Sequence, residues 1–284
     1  MMTQPTFDGL RVLVLESRRG RELGLIVTAY GGQPMVAPSM REVPLESNAE
    51  AIAFADDLIA GEFDLVLLLT GVGARALLDI VQRARGSRKK FVDALAQTMV
   101  VVRGPKPLAV MRELQVPVWL TAPEPNTWRE LLAALDERKS EVSLDGLNVA
   151  VQEYGASNPD LLAGLEARGA RVTRVPVYQW ALPEDLEPLR QAVRAIAAGE
   201  LDVALFTSAT QAVHLLKVAD MMELRDPVRD RLQRMVIASI GPTTSQELRQ
   251  QRVAVDLEPS HPKMGFLVRE AAEQAGEILR RKNP

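Results

Sequence analysis

The chain has 284 residues, 47% apolar and 25% charged, which suits two ordinary domains with sizeable cores. Its 34 basic residues against 37 acidic ones leave a net charge of −3, without the positive excess of a general nucleic-acid or membrane-surface binder. Cysteine is absent and His214 and His261 are the only histidines, which excludes disulfides, thiolate metal sites and cysteine nucleophiles and argues against a histidine-rich metal centre.

The first residues show no apolar run behind a basic cluster, and no segment approaches the length of a membrane span. A soluble, cytoplasmic protein is therefore expected. Short aliphatic runs predict strands at Val12–Leu15, Pro34–Ala37, Leu65–Leu69, Met99–Val102 and Val116–Leu120. Further runs follow at Leu147–Val151, Val172–Val175, Val203–Phe206, Val236–Ser239 and Val253–Leu257. Helical spacing fills Ala49–Ala60, Arg75–Arg85, Thr127–Arg138, Pro159–Arg168, Leu186–Ala198 and Gly265–Lys282, with Gly61, Gly169 and Gly199 as stops. Nearly continuous apolar strands alternating with helices predict an α/β class with parallel sheets covered on both faces.

The chain also matches itself at an offset of about 137 residues. Arg11-Val12-Leu13-Val14 aligns with Asn148-Val149-Ala150-Val151, and Gly61-Glu62-Phe63-Asp64 with Gly199-Glu200-Leu201-Asp202. Gly104-Pro105 meets Gly241-Pro242 in the same way. Each copy is expected to hold five strands. Proline-punctuated extended segments at 37–44 and 175–183 stand at equivalent places. If they are linkers, one domain is residues 1–39 with 179–284, the other is 44–175, and 40–43 and 176–178 join them. Two sequential domains meeting near Lys139-Ser140-Glu141 fit the periodicity equally well.

In open parallel sheets, ligands sit past the carboxyl ends of strands, where helix N-termini present unpaired amides. Six such turns are small, hydroxyl-rich or glycine-containing. They give the candidate binding residues Ser17 and Arg18; Thr70, Gly71, Val72 and Gly73; Gly104 and Lys106; Gly155 and Asn158; Thr207, Ser208, Ala209 and Thr210; and Gly241, Pro242, Thr243 and Thr244. Any one turn reads equally as a helix cap. Their convergence suggests a cleft between two domains for a large anionic ligand. Tyr154, just past a strand, could give a proton or hydrogen bond to a ligand there.

Other chemistries find less support. Gly71-Val72-Gly73 lacks the third glycine of a dinucleotide fingerprint, and no phosphate-loop Gly-Lys-Thr or serine-hydrolase elbow is present. The basic run from Arg83 to Lys90 has no interleaved aromatics and reads as a solvated loop. Neither a nucleotide cofactor nor a metal centre is expected from these residues.

The ordered set Ser17-Arg18-Arg19, Thr70-Gly71-Val72-Gly73, Tyr154-Gly155, Phe206-Thr207-Ser208 and Ile240-Gly241-Pro242-Thr243-Thr244 resembles the uroporphyrinogen-III synthase family over residues 10–275. The resemblance implies two similar flavodoxin-like α/β domains, a two-stranded linker, the discontinuous wiring and a ligand cleft between the domains. It implies a cofactor-free lyase of porphyrin and heme biosynthesis, with Tyr154 as acid and the candidate turns as substrate contacts. That activity closes linear hydroxymethylbilane to uroporphyrinogen III, inverting the last ring and losing water. A monomer is expected, with the linear tetrapyrrole as partner, the hydroxymethylbilane-forming enzyme as a candidate second partner, and neither nucleic acid nor membrane. The Thr70-Gly71-Val72-Gly73 turn departs from the family's Thr-Ser pattern. A binding or sensor module for a polycarboxylate is the competing reading, although no helix-turn-helix or receiver domain is evident.

Overall fold

A computed structural model describes residues 5–43, 45, 47–153, 155 and 157–283. In chain order the elements begin with β1 (Arg11–Val14), α1 (Gly20–Ala29), β2 (Gln33–Val36), β3 (Arg41–Val43), α2 (Ala49–Ala60), β4 (Leu65–Leu68), α3 (Gly71–Arg85) and α4 (Arg88–Gln97). Next come β5 (Met99–Val102), α5 (Pro105–Glu113), β6 (Leu120–Thr121), α6 (Trp128–Glu137), β7 (Asn148–Gln152), α7 (Pro159–Glu166), β8 (Arg171–Val175) and β9 (Gln179–Ala181). The chain ends with α8 (Glu187–Ala198), β10 (Val203–Phe206), α9 (Ala209–Met221), α10 (Arg225–Leu232), β11 (Val236–Ser239), α11 (Pro242–Gln250) and α12 (Met264–Lys282).

Two compact units result, Met1–Arg41 with Ala181–Pro284, and Glu42–Trp180. The chain leaves the first unit at β3 and returns at β9, and these two strands pair as a sheet of their own. The first unit has a parallel sheet in the order β11-β10-β1-β2. The second has a parallel sheet in the order β6-β5-β4-β7-β8.

Laid on the internal repeat, the two sheets share one plan. Strands β1 and β2 stand where β7 and β8 stand, and β10 and β11 stand where β4 and β5 stand. Each sheet therefore draws strands from both copies of the repeat. The strand order reverses between β1 and β10 in one unit and between β7 and β4 in the other, the crevice position of open α/β sheets.

The strands read as unbroken apolar runs because alternate residues enter two cores. In the first unit Leu13, Leu15, Ala204, Phe206 and Ile237 join Leu189, Val193, Leu215 and Leu248 of α8, α9 and α11. Val12, Val14, Val203, Leu205 and Val236 face the other way, onto Leu23, Val27, Leu267 and Ala271 of α1 and α12. In the second unit Val66, Leu68, Val100 and Val102 pack with Phe54, Leu77 and Phe91. Leu65, Leu67, Val149 and Val151 pack with Leu131, Leu135, Leu161 and Leu165.

Two expected strands are corrected. Over Val116–Leu120 only Leu120 is a strand residue, in the short edge strand β6. Val116 instead donates its N–H to Met111 and closes α5, and Pro117 has no N–H for a ladder. Over Val253–Leu257 only Leu257 pairs, as an isolated bridge to Ala238, so the first unit's sheet has four strands and not five. There the Asp256 carboxylate, not a backbone carbonyl, accepts the Ile237 N–H at 2.8 Å. The basic run is solvated, as expected, but lies on two helix ends and not in a loop. Arg83 and Arg85 close α3, Arg88 to Lys90 open α4, and Arg85 and Lys89 pair with Asp56 and Asp93 at 2.9 and 2.7 Å.

Candidate functional site

In the first unit the order reversal is occupied by a side-chain network. Glu16, two residues past β1, accepts the N–H groups of Arg18 and Arg19 on Oε1 at 3.1 and 3.3 Å. Its Oε2 accepts the Thr207 hydroxyl at 2.6 Å. Thr207 Oγ1 in turn accepts from Gln211 Nε2 at 2.8 Å, and the Thr207 N–H donates to Gln211 Oε1 at 2.7 Å. Gln211 is fully buried, so the Thr207 hydroxyl is committed within the protein. Ser17 Oγ accepts the Met40 N–H at 3.1 Å, while Arg18 is exposed.

The neighbouring turns keep polar groups at the surface. Ser208 is the N-cap of α9 without a side-chain cap bond, and Ser208, Ala209 and Thr210 are half-buried. Gly241 caps α11 in extended backbone, with Pro242 and Thr243 exposed and Thr244 buried. A Cβ at Gly241 would meet nothing nearer than Pro262 at 3.8 Å, so neither conformation nor packing demands glycine there. Both helices begin with amides that have no intrahelical acceptor.

In the second unit Thr70 is the N-cap of α3, its Oγ1 accepting the Gly73 N–H at 3.0 Å. The glycine-rich turn is therefore the first turn of the helix, which starts earlier than the expected Arg75. A Cβ at Gly71 would lie 2.8 Å from the Lys106 carbonyl oxygen, and one at Gly73 would lie 2.1 Å from Gln152 Nε2. Both glycines answer internal packing, and the amides of Gly71 and Val72 remain outside the helical ladder. Gly104 caps α5, and a Cβ there would stand 2.9 Å from the Asn126 side-chain amide. Lys106 is exposed on the same helix.

Past β7, Asn158 accepts the Leu161 N–H at 3.0 Å as the N-cap of α7. Gly155 is bridged to Gln179 and takes a φ of +62°. Tyr154 lies outside the described residues. Its neighbour Glu153 is buried, accepts the Ser157 hydroxyl at 2.7 Å, and accepts from Arg174 Nε and Nη2 at 3.1 and 2.9 Å. These bonds hold the Arg174 guanidinium above its ordinary pKa.

The family model for uroporphyrinogen-III synthase HemD matches residues 22–269. The chain belongs to the uroporphyrinogen-III synthase family. A crystallised uroporphyrinogen III synthase mutant from the extremely thermophilic bacterium Thermus thermophilus is similar in fold, with a TM-score of 0.69 at 23% identity over 96% of this chain and all of that one. A second Thermus thermophilus uroporphyrinogen III synthase structure gives 0.53 at 25% identity, over 94% of this chain and 99% of that one. Among curated proteins, the uncharacterized protein YjjA of Bacillus subtilis (strain 168) is 28% identical over 269 residues, covering 93% of this chain and 96% of that protein. The parallel two-sheet α/β plan is that of the synthase structures. No helix among the described residues is long and apolar enough to cross a membrane.

Sequence reasoning placed the turns within the family's pattern and passed over Glu16 and Glu153. The repeat held the signal, since the offset that aligns β1 with β7 also superposes these two glutamates.

Proposed function

We propose that the protein is a cofactor-free lyase that closes hydroxymethylbilane to uroporphyrinogen III. The observation that carries this reading is the family match across residues 22–269. The strand-end turns support it. Ser208, Thr210 and Thr243 offer hydroxyls, Gly71 and Val72 offer first-turn amides outside the helical ladder, and Arg18 and Lys106 are exposed cations, a set suited to a polycarboxylate.

In the proposed reaction the terminal hydroxyl leaves as water while the pyrrole ring system takes up the positive charge as an azafulvene. The substituted carbon of the last ring attacks to give a spiro intermediate. The bond from that carbon to its original methylene bridge then breaks, and the released bridge carbon bonds to the unsubstituted α-carbon of the inverted ring. The proton on that carbon is lost, for a net loss of one water. Tyr154 is assigned the proton or hydrogen bond to the departing hydroxyl. The remaining candidate residues hold the chain folded so that inverted closure outruns direct closure.

A product assay on freshly made hydroxymethylbilane tests this. Isomer III is expected, and isomer I alone rejects it in favour of a non-catalytic tetrapyrrole-binding or sensor module. Tyr154→Phe is expected to slow isomer III formation with the fold intact, and unchanged rates remove Tyr154 from the acid role.

A further inference from the structure

Glu16 and Glu153 are equivalent positions of the internal repeat, and they make equivalent connections. Each stands just past an interior strand at the order reversal of its sheet, β1 or β7. Each carboxylate reaches forward into its own turn, Glu16 to the N–H groups of Arg18 and Arg19, Glu153 to the hydroxyl of Ser157. Each also reaches sideways to a residue on or just past a neighbouring strand, Glu16 to Thr207 after β10 and Glu153 to Arg174 on β8. The lateral partners differ in chemistry and in direction along the sheet, yet the double attachment is kept in both.

A carboxylate suits this task because its two oxygens accept on two sides at once. Charge-assisted bonds of this kind are stronger than neutral ones. Substrate carboxylates would gain nothing from a fixed negative charge nearby, so the two glutamates are poorly explained as ligand contacts. Their value lies in fixing the turns that carry the contacts. Glu16 sets residues 17–19 against the α9 entry, and Glu153 sets the turn that leads to the Asn158 cap.

We infer that Glu16 and Glu153 are paired positioning residues, each latching one strand-end turn of the substrate site in its unit. The inference rests on the proposed synthase activity. Glutamine keeps the size but loses the charge and offers a single oxygen. At Glu16 it cannot accept both from the Arg18 and Arg19 N–H groups and from the Thr207 hydroxyl. At Glu153, whose Oε1 serves both Ser157 and Arg174 Nε, it loses the charge-assisted pairing with Arg174. Glu16→Gln is expected to raise KM for hydroxymethylbilane about tenfold with little change in kcat. Glu153→Gln, next in sequence to the assigned acid, is expected to lower kcat about tenfold.

Thr207→Val removes the same lateral bond from the other side and is expected to raise KM like Glu16→Gln, with no further rise in the double variant. This variant carries the test if Glu16→Gln does not fold. Additive KM effects in the cycle, or variants whose melting temperatures fall while KM and kcat stay at wild-type values, overturn the positioning role. A wild-type chain that yields only isomer I overturns both this inference and the reading beneath it. Isomer III from wild type with kinetically silent variants overturns this inference alone.

Discussion

A Cβ built on Gly155 would lie 2.1 Å from Cδ1 and 2.3 Å from Nε1 of Trp180. Strand β9 thus runs directly against the turn that follows β7, and the bridge between Gly155 and Gln179 ties the two backbones together. The indole also packs edge-on to Tyr178, with ring centroids 5.7 Å apart.

Gly155→Ala therefore meets two penalties, a left-handed backbone and a side chain in occupied space. Overpacking costs about 1–3 kcal/mol and the left-handed conformation about 1–2 kcal/mol. Urea unfolding is expected to show a loss of at least about 2 kcal/mol. A loss within about 0.5 kcal/mol, the range of ordinary surface changes, would show that the turn sits away from the indole.

Gly73 and Gly276 both lie inside helices and predict opposite outcomes. A Cβ at Gly73 would overlap the Gln152 amide, whereas nothing lies within 4 Å at Gly276 in α12. Gly276→Ala is expected to raise stability by about 0.5–1 kcal/mol through helix propensity alone. Gly73→Ala is expected to lower it by about 1–3 kcal/mol as Gln152 is displaced. Paired melting curves decide, and two changes of the same sign would contradict the packing described.

His214 makes stability depend on pH. Burial pushes its pKa below the ordinary value, the bond to the Ser39 carbonyl at 2.8 Å partly offsets this, and the charge of Lys217 adds to the lowering. The unfolded chain then takes up a proton that the folded protein resists. This contribution is fully present above the unfolded value of about 6.5 and is lost as pH falls from there through the folded pKa. Unfolding midpoints measured across this range should fall less steeply in His214→Asn than in the parent chain. Identical slopes would assign the dependence elsewhere.

The capping box of α6 gives an acid-side test. Thr127 Oγ1 accepts the Arg129 N–H at 3.2 Å, and Glu130 accepts the Thr127 N–H at 3.0 Å together with its hydroxyl. Burial works to raise the Glu130 pKa, but these bonds outweigh it and hold the carboxyl below its usual value. Its contribution is present above the unfolded pKa and is lost as pH falls through the folded one. Thr127→Ala is expected to cost about 1 kcal/mol near neutrality, with the difference from the parent shrinking in acid. A constant difference down to acid would remove Glu130 from the account.

The strands were legible in the sequence because both faces are buried, so Leu65–Leu68 and Val203–Phe206 show no alternation to misread. The Val116 and Val253 runs misled because each closes a preceding helix, α5 or α11, and an apolar composition does not record which backbone group its N–H meets. Thr70 and Asn158 could be placed as caps, since cap and helix are contiguous. The glycines of the α3 turn looked like a ligand cradle. Only the approach of Lys106 and Gln152 reveals why Cβ atoms are missing there. The bond from Thr207 to Glu16 spans 191 residues and leaves no local trace in composition or spacing.

That separation has a consequence during synthesis. When β1 and β2 leave the ribosome, β1 still lacks its partner β10, and Val12 must wait for Val203 before one edge of the strand is covered. At ordinary elongation rates the delay is about 10–40 s. All the strands of the second unit, Glu42–Trp180, emerge within that interval. The nascent chain thus holds an open, largely apolar strand while a later-starting sheet becomes complete.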